Sequence, residues 1–370
     1  MKEFINPDWE NSILNVSATF ADFLGVENTN TTLPLLEKEL EKNYKNVVFI
    51  CCDGFGVSVI EKHLKPNDFL RKNIRQTLTS TFPSTTTNAT TTLGLNKYPL
   101  EHGWLGWTLH FDEINQNIDI YRHQESKTGE VVDYEYPLLD NADYYFTKAN
   151  TDRAITAIMP EYAKVNNAEK IVISDEQELC DAIKKVCQRN GKQFAYCYFP
   201  EPDSTMHDFG VASREAKEKI ESINKHLEQL FNDLTDTHIV ITADHSHIDV
   251  LGYVEFYKDD ELNSLLEYPP YLDGRAVAFK VKRGKENEFA KGFKAKYEND
   301  FVLFETQTLI EDNYFGFSGN FGYLLGDFIA VGTSTNKQFL PYENSPRLKG
   351  HHCSLTKAEM TVPLIILSKK

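Results

Sequence analysis

Apolar residues in this chain gather in short runs that end abruptly in acid. Asn46-Val-Val-Phe-Ile-Cys-Cys52 is apolar on both faces, which predicts a strand of a parallel sheet covered by helices on both sides. It runs straight into Asp53-Gly54-Phe55-Gly56. Similar runs at Phe194 to Phe199, His238 to Thr242 and Pro363 to Ser368 predict further strands, and all but the last lead directly into polar, acid-bearing sequence. Between the second and third, Ile220, Ile223, Leu227, Leu230, Phe231 and Leu234 recur at three- and four-residue spacing, the single apolar face of a helix from about Arg214 to Leu234. From Asp249 to Leu340 the texture changes. Arg275 to Val281 alternates like a half-exposed strand, Glu286 to Tyr297 reads as helix and Phe301 to Phe304 as another strand. The expected fold is α/β: a mostly parallel central sheet with helices on both faces, formed by residues 1–248 and 341–370, with a smaller α+β cap inserted at 249–340.

Length fits either two domains or one large domain with an insertion, and the chain of 370 residues is ample for a full core. The charge balance narrows the partners. With 39 Lys and Arg against 55 Asp and Glu, the net charge of −16 repels polyanions and argues against duplex nucleic acid or an anionic membrane. A small anionic substrate remains compatible if bound cations reverse the sign locally. Met1 to Glu10 lacks the apolar core of a signal peptide, and no eighteen apolar residues run together, so the expected location is the cytoplasm. The six cysteines (51, 52, 180, 187, 197 and 353) are too scattered for a disulfide framework and read as reduced, mostly buried thiols. Cys353, beside two histidines, reads as a bystander before it reads as a metal ligand.

Three predicted strand ends present carboxylates. Asp53 directly follows its strand, Asp244-His245 follows Ile239 to Thr242, and Asp203-Ser-Thr-Met-His207 follows Phe194 to Phe199 and the turn at Glu201-Pro202. On a helical turn, Asp203 and His207 face the same way and can grip one cation. A lone pair at that spacing is usually solvated, and a lone Asp before Gly is usually a turn residue. The repetition at strand ends favours metal. His102, His207, His245, His247, His351 and His352 fall in such punctuated segments, whereas His63, His110, His123, His226 and His238 read as structural. The remaining element is Thr81-Phe-Pro-Ser-Thr-Thr-Thr-Asn-Ala-Thr-Thr-Thr-Leu93, followed by Glu101-His-Gly-Trp-Leu-Gly-Trp107. Threonine is a poor helix former, so the segment is either an exposed loop or a helix that uses its hydroxyls. A hydroxyl at a helix N-terminus beside a dication is a credible nucleophile, because both favour its alkoxide.

Taken in order, Asp53-Gly, the threonine-rich segment leading to His102-Gly103, Glu201-Pro-Asp203 with His207, Asp244-His245 and a late histidine resemble the alkaline phosphatase superfamily. Within it the chain looks like the type I phosphodiesterase/nucleotide pyrophosphatase family. The resemblance implies two divalent metals, usually zinc, with manganese as an alternative. One is held by Asp203, His207 and the late histidine, the other by Asp53, Asp244, His245 and the nucleophile. The late histidine is His352 by likeness to the family's C-terminal His-Gly-Gly, with His351 as the alternative. In that family the nucleophilic threonine stands sixteen residues before the histidine of His-Gly, a spacing that selects Thr86. Thr81, in Thr81-Phe-Pro, matches the family's words instead, and Thr85 and Ser84 are near neighbours. Where pyrophosphatases carry a phosphoryl-binding Asn after His-Gly, gapless counting reaches Trp107, and His247 is either a substitute donor or a solvated turn residue. The implied activity is hydrolysis of a small phosphorylated substrate through a phosphothreonine. A phosphomonoesterase, phosphonate hydrolase or phosphomutase on the same core is the alternative, and a metal-stabilised binding module without catalysis is the alternative of another class.

Overall fold

The computed structural model describes residues 4–370. The four predicted strands are observed at Asn46–Cys52, Gln193–Phe199, Thr237–Thr242 and Thr361–Lys369, all in one seven-stranded sheet. Its order is Ile74–Thr79, Thr361–Lys369, Thr237–Thr242, Asn46–Cys52, Gln193–Phe199, Ala154–Met159 and Glu169–Val172. From Thr237–Thr242 to Glu169–Val172 neighbouring strands are parallel, while Thr361–Lys369 runs antiparallel to both of its neighbours. Every residue of Asn46–Cys52 is buried, as its two-sided apolar pattern requires. The predicted helix spans Arg214–Asp233, is capped by the Ser213 side chain accepting from Ala216 N, and buries Ile220, Ile223, Leu227 and Leu230. Cys51 pairs with both Tyr198 and Thr242, so the three central strands end level with one another. That register delivers Asp53, Asp203 and Asp244 to one edge of the sheet.

A second seven-stranded sheet, antiparallel throughout, lies beside the first. Its order is Phe301–Glu305, Phe328–Gly332, Ala276–Phe279, Tyr271–Leu272, Thr108–Phe111, Gln116–Asp119 and Gln124–Glu125. Three of these strands come from residues 108–125, outside the 249–340 span that the sequence suggests for the cap. Their polar side chains disguise them as loop: His110 and Asn117 are buried in the sheet and hydrogen-bond to each other at 2.8 Å. The strand expected to be half exposed is instead buried at all four of its residues, Ala276–Phe279. Just before it, the fully buried Arg275 donates to Glu359 from Nε at 2.7 Å and Nη2 at 2.9 Å, and to the carbonyls of Lys337 and Thr333 at 2.8 and 3.0 Å. The glutamate also accepts from Ser354 N at 3.1 Å and from Thr356 Oγ1. This clamp ties the second sheet to the segment that follows His352.

Candidate active site

The threonine-rich segment is a helix, Thr86–Leu95, with Thr85 as its N-cap residue. Thr86 is therefore the first helical residue, where the helix dipole favours negative charge. Its Oγ1 lies 3.1 Å from His245 Nε2 and 3.5 Å from Asp53 Oδ2. The other candidate hydroxyls are committed elsewhere. Thr85 donates to Asp273 Oδ2 at 2.8 Å, Ser84 to the Ser354 carbonyl at 2.9 Å and Thr81 to the Pro83 carbonyl at 3.3 Å. The Nε2 of His245 also stands 3.4 Å from Asp53 Oδ1 and 3.4 Å from Asp244 Oδ2. Asp244 Oδ1 accepts from Gly54 N at 3.1 Å and His245 N at 2.9 Å, which fixes which oxygen faces the cluster. Gly54 has φ +69°, and a Cβ there would meet Asp203 Cβ at 3.0 Å, so the close approach of two acid-bearing turns depends on a glycine.

A second group adjoins the first. His207 Nε2 is 3.3 Å from Asp203 Oδ2 and 3.2 Å from His352 Nε2, which is 3.7 Å from Asp203 Oδ1. The rings of His245 and His352 stack at 3.7 Å and join the two groups. In His207, His245 and His352 alike, Nδ1 lies within hydrogen-bond distance of a backbone carbonyl, those of Gly350, Ser246 and Ser84 respectively. That contact puts a proton on Nδ1 and turns each Nε2 toward the carboxylates, the orientation of metal-ligating histidines. His351 is not part of the group around Asp203, and its Nε2 lies 3.5 Å from Asp273 Oδ1.

The donor set fits dications. Asp53, Asp203 and Asp244 are buried, and among the described residues their ion-pair partners are histidines alone. Asp53 Oδ1, Asp203 Oδ1 and Asp244 Oδ2 are buried without a hydrogen-bond partner, a costly state for carboxylates unless cations neutralise them. Burial, reinforced by the carboxylates of Asp244 and Asp203, pushes Asp53 well above the usual range, and burial raises Asp244 too. Burial works the same way on Asp203, but His207 and His247 beside it bring it well below its ordinary value. For His207 burial works downward, yet the Asp203 carboxylate carries it up to about 9. The edges of a tetrahedron around an ion with bonds of about 2.0–2.1 Å measure about 3.4 Å. The donor separations in both groups cluster around that length.

The pattern of the type I phosphodiesterase / nucleotide pyrophosphatase family matches residues 47–314. The chain belongs to this family. It is accordingly a metal-dependent hydrolase of phosphoric esters and pyrophosphates. No match was found among curated proteins. Solved structures of the same fold include murine ectonucleotide pyrophosphatase/phosphodiesterase 5, 17% identical with a TM-score of 0.67, covering 86% of this chain and 87% of that one. An inactive variant of that murine protein in complex with AMP is 18% identical with a TM-score of 0.64, at the same coverage. Phosphonoacetate hydrolase from Sinorhizobium meliloti with phosphonoformate is 14% identical with a TM-score of 0.61, covering 86% of this chain and 89% of the other.

Above the two groups of this family member opens a cavity of about 1020 Å³, its floor including Asp53, Thr86, Asp203, His207 and His352 and its walls including Trp104, Trp107, Tyr121, Arg122 and Tyr342. Trp107 is on the wall, with the Arg122 guanidinium 5.3 Å from its ring centre. Sequence reasoning did not single out Tyr198, whose hydroxyl donates to Asp53 Oδ2, or Asp273, which holds Thr85. Tyr198 sits one residue before the end of its strand, and a polar side chain that near a strand end was the available signal. His102 is buried, with Nε2 3.0 Å from Thr92 Oγ1 and Nδ1 accepting from Trp104 N, a packing role. His247 is buried at 2% exposure and is no solvated turn residue. Cys353 is buried, with its sulfur turned to His352 Nδ1 at 3.4 Å.

Proposed function

We propose that the enzyme cleaves small phosphodiesters or pyrophosphates, nucleotide derivatives foremost, with Thr86 as the nucleophile. The observation that carries this reading is the position of Thr86 Oγ1, within 3.5 Å of both His245 and Asp53 at a helix N-terminus that floors the cavity. Asp53, Asp244, His245 and Thr86 would hold one divalent ion, and Asp203, His207 and His352 the other, with zinc as the working metal and manganese as the alternative. When bound, two dications against three carboxylates leave about one positive charge, which favours the Thr86 alkoxide and offsets charge on the leaving oxygen. The Thr86 oxygen attacks phosphorus in line with the leaving group. An O–P bond forms to Thr86 as the bond to the leaving oxygen breaks, and the threonine proton goes to solvent. Water then cleaves the phosphothreonine, releasing the phosphorylated product and returning a proton to Thr86. Trp107 and Tyr121 line the cavity with aromatic rings, backed by the buried Trp104, which suits a nucleoside better than a small carboxylate.

The test is Thr86→Ala. Turnover of an aryl phosphodiester should vanish while two metal ions per chain are retained, and Thr85→Ala should stay active. A fully active Thr86→Ala enzyme overturns the assignment. Rates on aryl diester, aryl monoester and phosphonate substrates, with zinc or manganese restored after chelation, check the substrate class and the metal. The highest rate on a monoester or phosphonate would redirect the reading to those classes.

A further inference from the structure

His247 is the third residue of Asp-His-Ser-His, and the backbone places it beside His352. Ile248 pairs with His351 and Asp249 with Gly350 in a short antiparallel ladder, and continuing that register sets His247 across from His352. Gly350 makes room for the ring: a Cβ there would lie 2.9 Å from both Cε1 and Nδ1 of His247. The imidazole is held against that backbone with Nε2 3.0 Å from Asp203 Oδ1. Yet neither ring nitrogen of His247, nor that carboxylate oxygen, has a partner in hydrogen-bond geometry. A buried Nε2 and a buried carboxylate oxygen that face each other unpartnered are a costly arrangement, which an ion between them would relieve; Nδ1 lacks the backbone carbonyl that His207, His245 and His352 each have.

The three rings around Asp203 are arranged as if to share one point. His207 and His247 have centroids 4.7 Å apart and tilted by 72°, His207 and His352 5.1 Å and 53°, His247 and His352 5.2 Å and 64°. Imidazoles that converge through Nε2 on one tetrahedral ion have centroids about 5 Å apart. A ligand atom from each of Asp203, His207, His247 and His352 lies within 4.8 Å of every other. We propose that His247 is a fourth protein ligand of the metal held by Asp203, His207 and His352, binding through Nε2. This rests on the two-metal reading above. It makes the two halves of the centre unlike: one ion sits among three imidazoles and one carboxylate, the other among two carboxylates, one imidazole and the Thr86 hydroxyl. The more positive half then carries the attraction for an anionic phosphoryl oxygen.

The deciding measurement is proton-detected nitrogen NMR of the zinc-loaded full chain labelled at histidine nitrogens. His247 Nε2 should carry no proton and report metal coordination, as His207 and His352 do. A proton on His247 Nε2 in the loaded protein overturns the proposal and makes the residue a donor to Asp203 instead. A second arm titrates zinc against a competing chelator in His247→Gln, whose amide preserves a donor to Asp203 but is a poor ligand. One of the two ions should bind more than about 100-fold more weakly while the other is unchanged. Wild-type affinity at both sites also overturns the proposal, and if the variant misfolds the native-chain spectrum still decides. A wild-type chain that binds no zinc or manganese at all sinks the two-metal reading itself, which separates the two failures.

Discussion

Replacing Arg275 by methionine should destabilise the protein and loosen half of the metal centre together. The guanidinium is fully buried and supplies two of the four hydrogen bonds that the Glu359 carboxylate accepts, so Arg275→Met leaves that buried carboxylate without its charge partner. Removing one member of a buried ion pair costs about 3–5 kcal/mol, whereas removing both is often close to neutral. Two backbone carbonyls, of Thr333 and Lys337, lose their donor as well. At about 1.4 kcal/mol per tenfold, the single change should lower the folding constant by about two to four orders of magnitude. The double variant Arg275→Met with Glu359→Gln should recover more than half, because the glutamine oxygen still accepts from Ser354 N while its amide nitrogen can donate to the Thr356 hydroxyl. Urea unfolding followed by tryptophan fluorescence measures the first effect. Zinc stoichiometry at sub-denaturing urea measures the second, since Ser354 lies two residues beyond His352: the single variant should fall from two ions toward one. A single variant within about 1 kcal/mol of wild type, or a double variant no better than the single, would refute the reasoning.

Loading with zinc should release protons. His207, held up to about 9, is protonated at pH 7.5 in the metal-free protein, so binding displaces about one proton from it. Affinity at that site should rise about tenfold per pH unit and flatten above about 9. Calorimetry in two buffers of different ionisation enthalpy reads the count, and proton-neutral binding would contradict it. Tyr198→Phe removes the hydroxyl that donates to Asp53 Oδ2 and should lower kcat about 10- to 100-fold with zinc content nearly intact, as steady-state kinetics and metal analysis would show. Gly350→Ala should weaken zinc binding, because a Cβ there would sit 2.5 Å from the Met206 carbonyl and press on the His247 ring. Unaltered zinc affinity would mean that the backbone yields at that point.

The parallel sheet was legible because strands buried on both faces are apolar throughout, and the acids were legible because they interrupt such runs at the sheet edge. Thr86 follows from family spacing and His352 from likeness to the family's C-terminal motif, and their side chains lie beside the acids for a local reason: a carbonyl orients one imidazole, and a helix start presents one hydroxyl among many. What stayed hidden depends on pairing between distant segments. His110 and Asn117 satisfy each other inside a sheet, so polar residues that read as exposed are in fact buried there. His247 reads as a turn residue until the ladder with Gly350 and His351 is seen, and Arg275 reads as the edge of an exposed strand until Glu359 is placed against it.

The antiparallel strand Thr361–Lys369 sits inside the sheet, between Ile74–Thr79 and Thr237–Thr242. It leaves the ribosome after both of its neighbours. Until residue 361 has emerged, Ile74–Thr79 has no strand to pair with and the sheet carries an open slot beside Thr237–Thr242. The same stretch of chain brings His352, nine residues ahead of that strand. The metal centre and the slot are therefore completed by one late event, and a nascent chain shorter than this exposes an unpaired edge and leaves the Asp203 half of the centre without His352.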